Sequence, residues 1–89
     1  MPYILAEDRE ELDGQIDKLA DALRTRGEMN YAITRLIHHY INRCGMRYDN
    51  LNDAVGILEC AKLELYRHVC GPYEDVKIDS NGDIGVIGK

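Results

Sequence analysis

The sequence predicts a mainly α-helical fold, a three-helix antiparallel arrangement followed by a short C-terminal β-hairpin. Apolar residues recur every three or four positions through most of the chain, and glycines separate the periodic segments. The last residues instead form short apolar runs around an Asn-Gly pair. Eighty-nine residues predict a single domain spanning 1–89, because domains commonly contain ~50–200 residues.

The first helix is predicted over about residues 7–26. Its apolar residues form one stripe at helical spacing, namely Leu12, Ile16, Leu19 and Leu23. Acidic residues crowd its first turns, and Arg24 and Arg26 lie at its end, which suits the helix dipole at both termini. We expect Gly27 to follow the helix as its terminating residue.

The second helix is predicted over 29–44 and the third over 51–70. Gly45 ends the second helix, and Asn50 is a favourable N-cap for the third. Gly71-Pro72 predicts the end of the third helix, because proline cannot donate the backbone hydrogen bond that a helix interior requires. Residues 76–87 then predict two short strands joined by a turn at Asn81-Gly82.

Composition excludes several classes of function. The chain carries 16 acidic and 11 basic side chains, a net charge of −5, so we expect binding neither to nucleic acid nor to anionic membranes. No apolar run approaches the ~20 residues of a membrane-spanning helix. Three cysteines, an odd number without C-x-x-C spacing, are typical of reduced thiols in a cytoplasmic protein.

No metal or catalytic centre is recognisable in the sequence, so we predict neither a metal ion nor a cofactor. The run from Asp79 to Asp83 begins like a calcium loop, but the match then fails, because Ile84 stands where the loop requires glycine. A hairpin turn explains the same residues without a metal ion. The three histidines and three cysteines lack the spacing of a zinc site. Glu7, Glu10 and Asp13 provide half of the carboxylate pattern of a magnesium-dependent nucleotide hydrolase, which is a further alternative.

One polar face of the second helix contains the candidate ligand-binding residues. Tyr31, Arg35, His38 and His39 recur at helical spacing, in a stretch that has arginines and no acidic residue. Arginine and histidine can bind the phosphate or carboxylate of a small anionic ligand such as a nucleotide. The alternative, which we favour, is that this face pairs with the acidic first helix, either within one chain or between two.

Three amphipathic helices in so short a chain predict a surplus of apolar surface, and hence a homo-oligomer, most simply a dimer. The third helix is the expected interface, through Leu58, Leu65, Tyr66 and Val69. We therefore predict a non-enzymatic accessory protein that acts through self-association or through a protein partner.

The chain also resembles a family of short, uncharacterised bacterial, archaeal and phage proteins. The similar stretches are residues 1–4, 12–13, 29–34, 51–67 and 72–75, of which 51–67 is the most specific. The resemblance covers nearly the whole chain and implies a complete small protein. It implies no catalytic residue, because no function accompanies the family.

Overall fold

The computed structural model describes residues 3–85 and residue 87 of the chain, and this part is mainly helical. Helix α1 spans Ala6–Ala22 and helix α2 spans Arg26–Cys44. The third helix consists of α3 (Tyr48–Leu65), a π-helical segment (Tyr66–Cys70) and α4 (Gly71–Asn81). The prediction of a mainly α-helical fold with three helices is thereby confirmed.

The turn between α1 and α2 differs from the predicted one. α1 ends at Ala22, and Gly27 lies in the first turn of α2 instead of terminating α1. A capping box starts α2: the Glu28 N–H donates to Thr25 Oγ1 over 3.1 Å, and the Thr25 N–H donates to Glu28 Oε1 over 3.0 Å. These two bonds satisfy N–H groups that have no partner within the helix, which favours a start at this point.

Gly45 ends α2, as predicted, with a φ of 111° that favours glycine. Asn50 has a different role from the predicted N-cap, because α3 begins two residues before it, at Tyr48. Its side-chain amide donates to the carbonyl oxygens of Cys44 and Gly45 over 3.2 and 3.0 Å. Asn50 therefore satisfies carbonyls at the end of α2 and ties them to the first turn of α3.

The prediction that Gly71-Pro72 ends the third helix is wrong, because the helix continues through both residues to Asn81. The Gly71 N–H donates to the Tyr66 carbonyl, five residues back, which is the hydrogen bond of a π-helix. Pro72 then lies in the first turn of α4, where its missing N–H has little cost. The wider π turn thus lets the chain pass a proline without breaking the helix.

The predicted C-terminal β-hairpin is also wrong, since the structure assigns no strand to residues 3–85 or 87 and places 76–81 in α4. Gly82 ends α4 with a φ of 88°, and its N–H donates to the Ile78 carbonyl over 2.8 Å. Asn81-Gly82 therefore terminates a helix instead of turning a hairpin, and glycine suits both roles for the same conformational reason. Val86, in the predicted second strand, lies outside the described residues.

The chain is open: among the described residues, α2 and α3 come into close backbone contact, whereas α1 makes no such contact with another helix. Within the described residues only Ala32 (9% exposed) and Ala54 (3% exposed) are buried. The radius of gyration is 17.5 Å, whereas a compact chain of this length would have one of about 12 Å. The accessible surface is 8193 Å², about 2,900 Å² more than the roughly 5,300 Å² expected of a compact monomer of 10.2 kDa.

In the part of the chain that the structure describes, none of the helices combines the length and the apolar character needed to span a membrane.

Candidate functional site

Three of the four predicted ligand-binding side chains lie together on α2. Tyr31, Arg35 and His39 are four residues apart and therefore share one face of the helix. Arg35 Nη1 donates to the Tyr31 hydroxyl over 3.4 Å, and Arg35 Nη2 lies 3.2 Å from His39 Nε2. The Arg35 guanidinium also lies 5.9 Å from the centre of the Tyr31 ring, within reach of a cation–π contact. We call these three residues the α2 polar row.

His38 lies on another side of α2, because one residue turns a helix by about 100°. It borders a separate cavity of about 340 Å³ together with Ile41, Asn42, Met46 and Leu51. The structure therefore does not bring His38 to the α2 polar row.

The α2 polar row borders an open cavity of about 470 Å³ between α1 and α2. Its other lining residues are apolar, namely Leu19, Leu23, Ala32 and Leu36. Arg35 takes part in none of the ion pairs formed among the described residues. A guanidinium with an apolar surface beside it suits a ligand that has both an anionic and an apolar part.

A second depression between the same two helices is lined by apolar side chains. This α1–α2 groove has a volume of about 350 Å³ and is lined by Ile16, Leu19, Ala20, Leu23, Met29, Ala32, Ile33 and Leu36. The large side chains in it remain exposed, for example Ile16 at 55% and Leu36 at 58%. No polar side chain lines the groove to orient a small polar ligand, so the groove suits an apolar surface.

The residues predicted to form an interface are exposed on the third helix. Leu58, Leu65 and Val69 recur at spacings of seven and four, and we call them the α3 stripe. Tyr66 is exposed as well, and its hydroxyl donates to both carboxylate oxygens of Glu74 at 3.2 Å. That hydrogen bond raises the pKa of Tyr66 and links the π-helical segment to α4.

A cluster that sequence reasoning missed lies where α3 passes into the π-helical segment. The Tyr3 hydroxyl donates to Glu64, and it lies 3.4 Å from His68 Nε2. Glu64 also forms an ion pair with Arg67 at 3.4 Å, and its carboxylate lies 3.2 Å from His68 Nε2. The hydrogen bond from Tyr3 is the main cause that lowers the pKa of Glu64, and the same bond raises the pKa of Tyr3.

The spacing of Glu64, Arg67 and His68 indicates their shared helix face from sequence alone. The contact with Tyr3 has no such signal, because it joins residues 61 positions apart. This cluster fastens the segment before α1 to the end of α3.

The carboxylates of the hydrolase pattern, Glu7, Glu10 and Asp13, are all exposed on α1. Over residues 3–85 and 87, the structure has no group of three or more His, Cys, Asp or Glu side chains arranged to share a metal ion. The three cysteines are free thiols; Cys44 and Cys60 are exposed and Cys70 is half-buried.

Comparison with known proteins identifies a family for this chain. No curated protein and no solved structure matches the chain. A family model described as a domain of unknown function, DUF6899, matches residues 1–84, which is nearly the whole chain. The resemblance to an uncharacterised family is thereby confirmed, and the chain belongs to the DUF6899 family.

Proposed function

We propose that this protein is a non-enzymatic interaction protein whose working form is a homo-oligomer. One observation carries the proposal, the excess of about 2,900 Å² in accessible surface over a compact monomer of 10.2 kDa. A stable protein–protein interface buries only about 800 Å² on each partner. The surplus of one chain is therefore ample for an extensive interface with another.

The absence of a large buried side chain supports the same proposal. A folded domain is stabilised mainly by burying apolar surface, at ~25 cal/mol for each Å². Among the described residues only two alanines are buried, while leucines and isoleucines on all three helices are exposed. A second chain would supply the missing burial, since obligate interfaces resemble a domain core divided between two subunits.

The test is the mass in solution, measured by sedimentation equilibrium over a range of chain concentrations. We expect an oligomer for the native chain and a loss of assembly in Leu65→Asp, because a carboxylate buried at an interface without a partner is strongly unfavourable. Leu63→Asp is the matched control: Leu63 is 54% exposed against 57% for Leu65 and points away from it, since two residues turn a helix by about 200°. A strictly monomeric native chain would refute the proposal.

We propose as a second candidate that the α2 polar row binds a small anionic ligand such as a nucleotide. The support is the convergence of Tyr31, Arg35 and His39 beside the 470 Å³ cavity. ATP and inorganic phosphate are the probes, and thermal stabilisation is the measurement. We expect stabilisation of the native chain, its loss in Arg35→Ala, and its retention in Arg43→Ala near the end of the same helix. If neither probe stabilises the native chain, this candidate is wrong.

A further inference from the structure

We infer that the α1–α2 groove of one chain receives the α3 stripe of a second copy, so that two chains exchange their third helices. This pairing rests on the self-association proposed above and names the two surfaces that meet. It gives each half of the dimer a bundle of α1 and α2 from one chain and α3 from the other. The exchange is reciprocal, as a two-fold axis requires.

Two helices line the groove, as two helices of a three-helix bundle line the site of the third. α1 and α2 each contribute apolar side chains to it, and Ala32, one of the two buried residues, belongs to its lining. Helices with apolar faces are stable only when another element covers those faces. The element that fits a groove between two helices is a third helix with an apolar stripe of its own.

The chain's own third helix does not cover the groove. Asn50 ties the start of α3 to the end of α2, and Tyr3 ties the end of α3 to the segment before α1. The groove, in contrast, lies where the last turns of α1 meet the first half of α2. Leu58 and Leu65, which face inward in a three-helix bundle, consequently remain 41% and 57% exposed.

Charge favours the same pairing on the α2 side of the groove. α2 carries three arginines and one glutamate, whereas the helix from Tyr48 to Asn81 carries seven acidic and three basic residues. A third helix laid in the groove therefore meets opposite net charge on α2 and like net charge on α1, which carries seven acidic and two basic residues. Charge consequently orients the acidic face of the third helix toward α2.

The excess of accessible surface also favours an exchange of helices over a contact through a single flat patch. A standard interface buries about 800 Å² on each partner, and extensive obligate ones bury 2,000–5,000 Å² or more in total. An excess of about 2,900 Å² per chain, relative to a compact monomer, is about 5,800 Å² for two chains and lies at the upper end of that obligate class. Reciprocal exchange of a helix forms two groove–stripe contacts in each dimer, and two such contacts account for a large interface.

Chain-specific methyl labelling tests the pairing on the native protein. Chains with labelled isoleucine methyls are mixed with chains carrying labelled leucine methyls, unfolded and refolded together, and examined by NMR. We expect nuclear Overhauser effects from Ile16 and Ile33 of one chain to Leu58 and Leu65 of the other. If the isoleucines of the groove instead contact Leu19 and Leu36 of the second chain, the dimer exists but pairs groove to groove, and the exchange is wrong.

Disulfide formation provides an independent measurement with a matched control. Two variants are mixed, both with the native cysteines changed to serine. One carries Ile33→Cys and the other Leu58→Cys, and the two chains differ in length so that a linked heterodimer can be told from a linked homodimer. We expect a disulfide-linked heterodimer from this pair and none when Leu63→Cys replaces Leu58→Cys. A linked product with Leu63→Cys and not with Leu58→Cys contradicts the pairing but not self-association. A monomeric native chain contradicts both the helix exchange and the proposed self-association.

Discussion

At the scale of single residues, the hydrogen bond from Tyr3 to Glu64 has a consequence that depends on pH. The bond favours the charged carboxylate, so the pKa of Glu64 in the folded chain lies below its ordinary value of 4.5. A carboxyl group with a lowered folded pKa contributes stability that is fully present above the unfolded pKa. That contribution is lost as the pH falls through the folded pKa.

We therefore expect Tyr3→Phe to raise the NMR titration midpoint of the Glu64 carboxyl toward 4.5. The loss of stability in this variant should be largest above the ordinary pKa of Glu64 and should shrink as the pH falls below it. Tyr73→Phe removes a hydroxyl from an exposed tyrosine in α4 and should leave the Glu64 midpoint unchanged. A Glu64 midpoint that is the same in Tyr3→Phe and in the native chain would contradict the role of this hydrogen bond.

Residue spacing predicts contacts along one helix and fails for contacts between distant parts of the chain. Tyr31, Arg35 and His39 were placed together from their positions, because residues four apart meet on a helix surface. His38 was included on the same basis, although its neighbour His39 is the residue in register with Arg35. The role of Asn50 was missed because a good N-cap residue can equally donate to carbonyls at the end of the preceding helix.

At the scale of helices, glycines at two positions should respond in opposite ways to the same substitution. Gly56 lies inside α3, and an added Cβ would meet nothing within 4 Å. Gly56→Ala should raise the free energy of unfolding by about 0.5–1 kcal/mol, because alanine loses less conformational entropy in a helix. Gly45 has a φ of 111°. Gly45→Ala should therefore lower the free energy of unfolding by roughly 1–3 kcal/mol through backbone strain.

Chemical denaturation of both variants at one fixed chain concentration measures the two effects. If Gly45→Ala were as stable as the native chain, the turn between α2 and α3 would not require a left-handed residue. If Gly56→Ala were destabilised, the outer side of α3 would be covered by an element that leaves no room for a methyl group.

The helices are predictable from apolar spacing. Their ends are less so, because they depend on residues that are compatible with more than one local structure. Thr25 and Glu28 form a capping box whose pattern is visible in the sequence, yet Gly27 within it equally predicts the end of α1. Pro72 predicts the end of a helix, and the π turn that accommodates it has no sequence signature of its own. Asn81-Gly82 suits a hairpin turn and a helix end equally, so only the structure decides between them.

At the scale of the whole molecule, folding and association should be one equilibrium. A chain whose apolar side chains become buried only against a second copy has little to stabilise it as a folded monomer. The dimer proposed above would unfold directly to two separate chains, and mass action would make its stability depend on chain concentration. A compact monomer, by contrast, unfolds at a temperature that does not depend on concentration.

For such a dimer, a tenfold increase in chain concentration stabilises the native state by about 1.4 kcal/mol. For a folded unit of about 180 residues, this corresponds to a rise in Tm of roughly 3–6 °C. Differential scanning calorimetry at several concentrations measures the shift directly. Leu65→Asp should unfold at a lower temperature than the native chain at every concentration, and Leu63→Asp should retain the native dependence because its carboxylate stays in water. A Tm that is constant across concentrations would show that the open chain is stable alone, and the surplus of exposed apolar surface would then need another partner.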